Sequence, residues 1–294
     1  MPVVINHILG GIGNQMFQYA AGRALSIRNK QQYVLDLNGF QNYSLHNGFE
    51  LERVFAITPL IVDASTIKKF LGWRALPLAG KLLRRPQFAW LRGSKLVVEP
   101  SFRFWADLFN RRGDSYLSGY WQSEFYFKSV ENAIREDFTF KIPLDGKNAE
   151  LALEFLNIQA VSLHVRRGDY ISDSKTGKIM HTCSLDYYQN AINYIAQRVN
   201  SPTFYIFADD TDWVKQNLHL DFPSVYVNHN KGDESYRDMQ LMSLCQHHII
   251  ANSSFSWWAA WLNAKRQKIV IAPFNWFRNG IDDSDLIPAD WVRL

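Results

Sequence analysis

Short apolar runs alternate with helical patterns throughout the second half of the chain. Strands are predicted at residues 160–165, 203–208, 224–228, 248–251 and 268–272. Helices are predicted between them at residues 186–199, 211–218, 235–246 and 254–264. Strict alternation of strands and helices is typical of a parallel sheet with helices on both faces. The pattern therefore predicts a doubly wound α/β domain.

The chain begins with a strand, a glycine loop and a helix. Residues 3–9 form the apolar run, Gly10, Gly11 and Gly13 follow it, and the helical pattern continues from Met16. Loop N–H groups and the helix N-terminus favour anions. However, Met16 occupies the last position of the glycine pattern of dinucleotide-binding domains, so that fingerprint is incomplete. A structural turn and a ligand-binding loop therefore both remain open.

The chain of 294 residues, 47% of them apolar, is long enough for two domains with separate cores. Pro143 and the pair Asp145-Gly146 interrupt the pattern in the middle of the chain. We therefore predict an N-terminal α/β domain at residues 1–147 and a C-terminal Rossmann-like domain at residues 148–294.

The strand at residues 160–165 ends in two arginines, at Arg166 and Arg167, followed by Gly168 and Asp169. Guanidinium groups are planar, permanently charged donors that match phosphate oxygens. Ligands of such sheets bind at the carboxyl ends of the strands. The arginine pair therefore predicts a diphosphate site, and a charged surface turn is the alternative.

Polar residues follow the other predicted strands of this domain as well, which favours a binding site at this edge. They are Asp209 and Asp210, then Asn228 to Asn230, then Asn252, Ser253 and Ser254. Ser253 or Ser254 suits the N-cap of the next helix, where a phosphate oxygen can also bind. Asp238, on the preceding helix, can accept two hydrogen bonds from guanine, although a lone helical aspartate is more often a surface residue.

Charge and aromatic residues are unevenly distributed. The net charge is only +4, but residues 66–95 contain eight Lys or Arg and no acidic residue. Aromatic residues alternate with these cations, so the segment suits either a solvated surface or an anionic membrane. No nucleic-acid-binding motif accompanies the charge. The ten Trp, thirteen Tyr and twenty Phe residues suit protein cores and also sugar rings.

The two cysteines, Cys183 and Cys245, show neither a disulfide framework nor metal-type spacing. No signal peptide and no membrane span is visible. We therefore expect a cytoplasmic protein, with peripheral contact to the inner face of the membrane as an open alternative.

Four motifs resemble bacterial α-1,2-fucosyltransferases of glycosyltransferase family 11. They are GGIGNQMFQYA at 10–20, GYWQ at 119–122, HVRRGDY at 164–170 and DMQLMSLCQHHIIANSSFSWWAAWL at 238–262. The resemblance implies a GT-B-like fold, with two Rossmann-like domains facing across a cleft. It also implies transfer of L-fucose from GDP-β-L-fucose to the 2-hydroxyl of a terminal β-galactoside, with inversion and without a metal or other cofactor.

The resemblance further implies roles for individual residues. It places Arg166 and Arg167 at the donor diphosphate, Asp238 near guanine, Ser253 and Ser254 near the nucleotide phosphates or ribose, and Asn14 with Gly11, Gly13 and Gln15 toward the donor. Their positions at the ends of predicted strands add His164, Asp209 and Asn252 to the expected donor site, where Asp209 or Asp210 would orient the arginines. Acceptor binding is expected at Trp121 and Gln122. Whether the acceptor is free or lipid-linked stays open.

An inverting displacement develops negative charge on the leaving diphosphate and needs a base for the acceptor hydroxyl. Arg166 and Arg167 are predicted to offset that charge, since Asp209-Asp210 lacks the D-x-D spacing of a metal site. Asp169 is the predicted base. His164, His229 and Glu234 are reserves.

Three other functions remain open on the sequence. One is a GT-B enzyme that uses another GDP-sugar, such as GDP-mannose. Another is a non-catalytic carbohydrate-binding protein, which would have no need of paired arginines. The third, a nicotinamide-dependent enzyme, is disfavoured by the incomplete glycine pattern.

Overall fold

The computed structural model describes residues 1–43, 45–167, 182–278 and 280–294, except for the side chain of Asn42. The described chain divides into two compact units. The first contains Met1–Lys141 and Ser284–Leu286, and the second contains Ile142–Asp283 and Ile287–Leu294.

The first unit is a parallel sheet with helices. Its strands are β1 (Val3–His7), β2 (Gln32–Asp36), β3 (Ile61–Val62), β4 (Leu96–Val98) and β5 (Ser115–Ser118). Its α-helices are α1 (Ile12–Asn29), α2 (Leu51–Val54), α3 (Ala64–Leu71), α4 (Pro77–Leu83) and α5 (Glu131–Asp137). Short 3-10 helices lie at Asn38–Asn42, Gly72–Ala75, Pro86–Leu91, Ala106–Asn110, Glu124–Tyr126 and Lys128–Val130.

The sheet of the first unit has the strand order β3-β2-β1-β5-β4, and every pair in it is parallel. The strand β1 lies at the centre, as in other open α/β sheets whose order reverses after the first strand. One core cluster joins this sheet to α3 and α4 through Ile5, Ile67, Leu71, Leu83 and Tyr116.

The second unit is a larger parallel sheet with helices. Its strands are β6 (Gln159–Val165), β7 (Pro202–Ala208), β8 (Ser224–Val227), β9 (His247–Ile249), β10 (Val270–Ala272) and β11 (Val292–Arg293). Its α-helices are α6 (Gly146–Glu154), α7 (Leu185–Ala196), α8 (Thr211–Asn217), α9 (Tyr236–Leu244) and α10 (Ser254–Leu262). A 3-10 helix lies at Gly232–Glu234.

The sheet of the second unit has the order β11-β10-β9-β6-β7-β8, with all described pairs parallel. The strand β6 is central, so its polar end lies in the middle of the carboxyl edge. A buried polar network also crosses this sheet, because His248 of β9 bonds Ser162 of β6 at 2.8 Å and Asn263 at 2.7 Å.

The predicted fold class is confirmed in both units, since each is a parallel sheet with helices. The predicted boundary at 147/148 lies six residues after the division of the compact units at 141/142. Residues before α6 belong with the second unit because Ile142 and Pro143 are hydrogen-bonded to it. Their carbonyls accept hydrogen bonds from Gln240 at 3.1 Å and Arg237 at 3.1 Å.

Several elements differ from the sequence expectations. The sequence after Gln122 favours one helix from about Glu124 to Glu136. The structure instead has two 3-10 turns followed by α5. The helices α3 and α4 were not predicted, and neither was the edge strand β11. None of the described helices is long and apolar enough to cross a membrane.

Candidate active site

The carboxyl end of β6 presents the predicted arginine pair beside Asp209. The carboxylate of Asp209, directly after β7, accepts hydrogen bonds from the backbone N–H of Arg167 at 3.0 and 3.2 Å. It also pairs with the guanidinium Nε of Arg166 at 3.5 Å. The neighbouring Asp210 instead caps α8, by accepting a bond from the N–H of Trp213 at 3.1 Å. One carboxylate therefore braces both arginines, and the next one starts a helix.

The guanidinium of Arg167 lies over the indole ring of Trp213, with its central carbon 3.8 Å from the ring centroid. Stacking of this kind favours the flat guanidinium and fixes its plane. The Nε atom of Arg167 is buried and has no hydrogen-bond partner among the described residues. Arg167 is thus held by its backbone and by its flat face, and its Nε donor stays uncommitted within the described chain.

His164 lies within β6 and is only 6% exposed. Burial, with a smaller contribution from Arg166, lowers the pKa of His164 to about 3. The imidazole is therefore neutral at physiological pH, and its Nδ1 has no partner within the described residues. A neutral histidine beside two arginines suits hydrogen bonding to a ligand better than the delivery of a proton.

The N-terminus of α10 lies after β9, next to β6 in the sheet. Ser253 is the N-cap residue by backbone geometry, but its side chain makes no capping hydrogen bond. The expected capping hydrogen bond from a serine hydroxyl is therefore not formed at Ser253, which is 8% exposed. Asn252 is fully buried, and its amide donates to the carbonyl of Trp276 at 3.0 Å. Asn252 therefore shapes the loop, while Ser253 and Ser254 stand at the positive end of the helix.

Asp238 belongs to a polar network with side chains that follow the end of β8. One of its oxygens accepts a hydrogen bond from Asn230 at 2.8 Å. Asn230 and Asn148 are doubly hydrogen-bonded at 2.9 and 3.0 Å, and His229 contacts Asn148 at 2.8 Å. Burial raises the pKa of Asp238 to about 7, and the bond from Asn230 opposes that shift. Asn148, 82 residues from Asn230 in sequence, was missed by sequence reasoning because it lies in a helix with no motif.

The candidate bases differ in the contacts that the structure describes for them. Asp169 lies outside the described residues, with the rest of residues 168–181. Glu234 forms an ion pair with the guanidinium of Arg237. His229 is engaged with Asn148 through Nε2, and burial followed by the charge of Lys147 lowers its pKa. Glu234 and His229, the two alternative bases outside β6, are therefore both engaged with other side chains.

In the first unit the glycine loop lies at the carboxyl end of β1. Gly10 has a φ of +96°, a backbone conformation that favours glycine. The amide of Gln15 is buried, donates to the carbonyls of Gly10 and Gly48 at 2.8 and 2.7 Å, and accepts a bond from the N–H of Glu50. Gln15 is thus fully committed to the loop itself.

The remaining predicted residues of this loop differ in exposure. Gly13 lies inside α1 and is buried, whereas Gly11 and Asn14 are half-buried. The Oδ1 of Asn14 accepts a bond from Gln122 at 2.8 Å. Asn14 and Gln122 therefore form one pair at the carboxyl edge of the first sheet.

The predicted acceptor residues follow β5 on the same edge. Trp121 is 0% exposed, packs edge-on against Tyr126 and has a φ of +57°. Its burial does not fit a direct contact between its ring and an acceptor. The exposed aromatic residue is Tyr120, which is 44% exposed and lies parallel to Phe102 with ring centroids 6.2 Å apart. Adjacent residues after a strand can face opposite ways, so Tyr120 presents its ring to solvent and Trp121 does not. Acceptor binding by Trp121 and Gln122 stays a prediction.

Glu99 holds the turn that carries these aromatic residues. Its carboxylate accepts bonds from the N–H groups of Tyr120 at 2.6 Å and Trp121 at 2.9 Å. Burial raises the pKa of Glu99 to about 7, against the lowering by those two bonds. This half-buried carboxylate, directly after β4, was missed because nothing in its local sequence marks it.

Two further features bear on chemistry. Within the described ranges, no group of three or more His, Cys, Asp or Glu side chains is arranged to hold a metal ion. A surface groove lined by residues 196–202 and 222–223 lies at the amino end of β7, the edge of the sheet opposite the arginine pair. That groove is therefore not part of the candidate site.

Comparison with known proteins decides the family. The family model described as Glycosyl transferase family 11 matches residues 101–294, more than half of the chain. The chain belongs to this family. The predicted resemblance is thereby confirmed, and this glycosyltransferase carries its arginine pair and the long 238–262 motif within the matched range.

Relatives of the family 11 chain include two proteins of Escherichia coli. An alpha-1,2-colitosyltransferase is 37% identical over 100% of this chain and 99% of its own length. The O-antigen biosynthesis glycosyltransferase WbnK is 32% identical over 97% of this chain and 98% of its own length. A galactoside alpha-(1,2)-fucosyltransferase 1 of Ateles belzebuth is 26% identical over 86% of this chain and 63% of its own length.

Solved structures resemble the chain in fold. The fucosyltransferase NodZ from Bradyrhizobium superposes with a TM-score of 0.55 at 17% identity, over 89% of this chain and 92% of that protein. A NodZ alpha-1,6-fucosyltransferase structure soaked with GDP-fucose gives 0.54 at 18% identity over the same shares. At these identities the likeness concerns the fold alone.

Proposed function

We propose that this glycosyltransferase moves L-fucose from GDP-β-L-fucose, with inversion, to the 2-hydroxyl of a terminal β-galactoside during synthesis of a bacterial O-antigen. The observation that carries the proposal is the arginine pair at the end of β6, braced by Asp209. The α-1,2 linkage and the O-antigen setting are supported by the names of the two Escherichia coli relatives.

The donor fits the polar residues around the end of β6. Arg166 and Arg167 would bind the diphosphate, and the Ser253 and Ser254 end of α10 would add hydroxyl and N–H donors. Asp238 would accept hydrogen bonds from the N1–H and N2–H groups of guanine through the oxygen that does not face Asn230. A guanine nucleotide sugar is therefore the donor class that these groups favour.

The reaction follows from the charges. The acceptor oxygen attacks the anomeric carbon, the bond from that carbon to the β-phosphate oxygen breaks, and GDP leaves with the electron pair. Arginine donors aimed at the β-phosphate offset the charge that develops, a contribution of roughly 10²–10³ in rate for each donor. We propose that no metal is required, and activity that disappears in EDTA and returns with Mg²⁺ would contradict this.

The acceptor proton needs a base, and Asp169 is proposed for that role. Transfer by Asp169→Asn should fall steeply, because general base catalysis contributes roughly 10²–10⁴ in rate. GDP affinity, measured by calorimetry, should change little. A large loss of affinity would instead assign Asp169 to binding.

The central experiment compares two stacked arginines. Arg167→Ala should reduce transfer at least ~10²-fold while the protein stays folded, as judged by circular dichroism. Arg198→Ala is the matched control. The central guanidinium carbon of Arg198 lies 3.6 Å from the ring centroid of Tyr194, near the opposite edge of the same sheet. If both variants transfer fucose at the parent rate, the diphosphate assignment is wrong.

A second candidate donor is GDP-colitose, favoured by the 37% identity to a colitosyltransferase over the whole chain. Colitose lacks the 3-hydroxyl of fucose, so the difference between the two donors is one polar group. Release of GDP from GDP-fucose, GDP-colitose and GDP-mannose, each with a β-galactoside acceptor, separates the candidates. Turnover of GDP-mannose alone would contradict both.

A further inference from the structure

The basic segment, residues 66–95, has an inner face that packs on the first unit and an outer face that does not. Ile67, Leu71 and Leu83 are buried against the sheet of that unit. On α4 the outer positions are Leu78, Lys81 and Leu82, which follow one another at helical spacing. The outer face of α4 therefore combines two leucines with a cation.

The apolar side chains of this outer face are unusually exposed. Leu78 is 82% exposed and Trp90, in the following 3-10 helix, is 78% exposed. Trp73, Leu76 and Leu82 are also exposed. Single exposed apolar residues are ordinary, but five within eighteen residues form a surface that suits a partner.

Six of the eight cations of the segment divide into two groups. The other two interact with the first unit, Lys95 through an ion pair with Asp114 at 3.3 Å and Arg84 through its charge near His7 and Tyr116. Arg74 donates to the carbonyl of Leu91 at 2.6 Å, and Arg92 donates to the carbonyl of Leu83 at 2.8 Å, so both stabilise the segment itself. The second group is exposed and forms no ion pair with a described residue; it comprises Lys68, Lys69, Lys81 and Arg85. These four charges are available to a partner.

The charge identifies the partner. No acidic residue occurs between Asp63 and Glu99, so the segment itself contributes charges of one sign only. Tryptophan and leucine beside lysine and arginine match the boundary between acyl chains and anionic headgroups, where aromatic rings sit and basic side chains extend to the phosphates. A polyanion without an apolar phase would leave Leu78 and Trp90 in water.

We propose that the outer face of residues 66–95 docks on an anionic lipid bilayer, with α4 and the Trp90 turn inserted at the headgroup level. This contact is peripheral and does not depend on the proposed sugar donor. It would hold the enzyme at the surface where a lipid-linked acceptor is found. Because the attraction is electrostatic, it should weaken as salt is raised.

The test is flotation of the full chain with vesicles of phosphatidylcholine alone or with ~30% phosphatidylglycerol. We expect binding only to the anionic vesicles. Lys81→Glu with Arg85→Glu should weaken that binding at least ~10-fold, because each basic residue near such a surface contributes about fivefold. The control pair, Lys215→Glu with Arg266→Glu, makes the same charge change on exposed residues of the second unit and should bind like the parent.

A second pair of variants tests the apolar part. Trp90→Ser should weaken binding to anionic vesicles, whereas Leu153→Ser, at a residue 64% exposed in the second unit, should not. Circular dichroism checks that all variants remain folded. Equal binding by both charge pairs, indifference to lipid charge, or loss of a dimer in Trp90→Ser without any vesicle binding would overturn the proposal.

Discussion

Two adjacent aspartates after β7 have different tasks, and each can be tested against the other. Asp209 contacts both arginines, while Asp210 caps α8. Asp209→Ala should lower kcat about 10–100-fold because the arginines lose their orientation toward the developing charge. KM for the donor should change little, since the variant also removes a negative charge near the diphosphate.

Asp210→Ala is the control for this prediction. It should cost about 0.5–2 kcal/mol of stability through the lost cap and leave kcat near the parent value. Steady-state kinetics and urea unfolding on both variants measure the two effects. If Asp210→Ala lowers kcat as much as Asp209→Ala does, the division of tasks is wrong.

Asp238 gives a prediction about pH. Its pKa of about 7 in the unliganded protein is raised, mainly by burial, so the carboxylate is ionised above pH 7 and protonated below it. Guanine N–H groups require the ionised form, so GDP affinity should fall as pH drops below about 7, by up to tenfold for each pH unit.

Calorimetry from pH 5.5 to pH 8 on the parent and on Asp238→Asn tests this. The phosphates of GDP titrate identically with both proteins, so the difference between the two curves reports on Asp238. The variant should bind ~10–100-fold more weakly at pH 8 and lose the difference at pH 5.5. Parallel curves at all pH values would remove Asp238 from the guanine site.

At the residue scale, contacts between residues that follow consecutive strands could be predicted from the sequence. Contacts that depend on side-chain packing could not. Arg166, Arg167 and Asp209 follow consecutive strands, so their meeting at one edge could be inferred. The stacking of Arg167 on Trp213 depends on side-chain packing and has no sequence signature. The burial of Trp121 was missed for the same reason.

At the element scale, the turn after β5 depends on Gly119. A Cβ atom at this position would lie 2.4 Å from the Cβ of Glu99, which holds the turn through two backbone N–H groups. Gly119→Ala should therefore displace residues 119–122 and separate Gln122 from Asn14. We expect a loss of roughly 1–3 kcal/mol in stability and a marked loss of transfer.

Gly80→Ala is the matched control, because Gly80 lies in α4 and a Cβ there would contact nothing within 4 Å. That change should be neutral or stabilise the protein by up to ~1 kcal/mol. Thermal unfolding and transfer assays compare the two variants. A Gly119→Ala protein as stable and active as Gly80→Ala would show that Glu99 can move away without consequence.

The elements of the second unit were predictable and several of the first were not. Buried parallel strands are continuous apolar runs, which stand out beside amphipathic helices. The helices α3 and α4 are only eight and seven residues long, so their apolar stripes are short and were not recognised. The helix expected from about Glu124 to Glu136 begins only at Glu131, because residues 124–130 form local 3-10 turns instead.

At the scale of the whole molecule, the end of the chain contributes to both units. After β10 the chain stays in the second unit to Asp283, provides Ser284–Leu286 to the first unit, and returns to the second with β11. The alternation of strands and helices predicts that each domain is one continuous stretch of the chain. The return of residues 284–286 to the first unit therefore had no sequence signal. It also makes two neighbouring aspartates members of different units.

Substitution of each aspartate, followed by hydrogen exchange at the backbone amide that it accepts a bond from, tests that path. Asp285 accepts a bond from the N–H of Phe104 at 3.0 Å in the first unit, and Asp283 accepts one from the N–H of Trp276 at 2.8 Å in the second. Asp285→Ala should speed exchange at Phe104 by roughly 10–150-fold, the loss of one hydrogen bond to a charged group, and leave Trp276 protected.

Asp283→Ala should do the reverse, and more strongly, because Asp283 also pairs with Arg293 of β11 at 2.6 Å. Each variant is therefore the control for the other, with the same change of charge made two positions apart. If either substitution speeds exchange equally in both units, the two units do not divide the chain at these residues. If exchange at Phe104 is unchanged in Asp285→Ala, residues 284–286 contact the first unit without stabilising it.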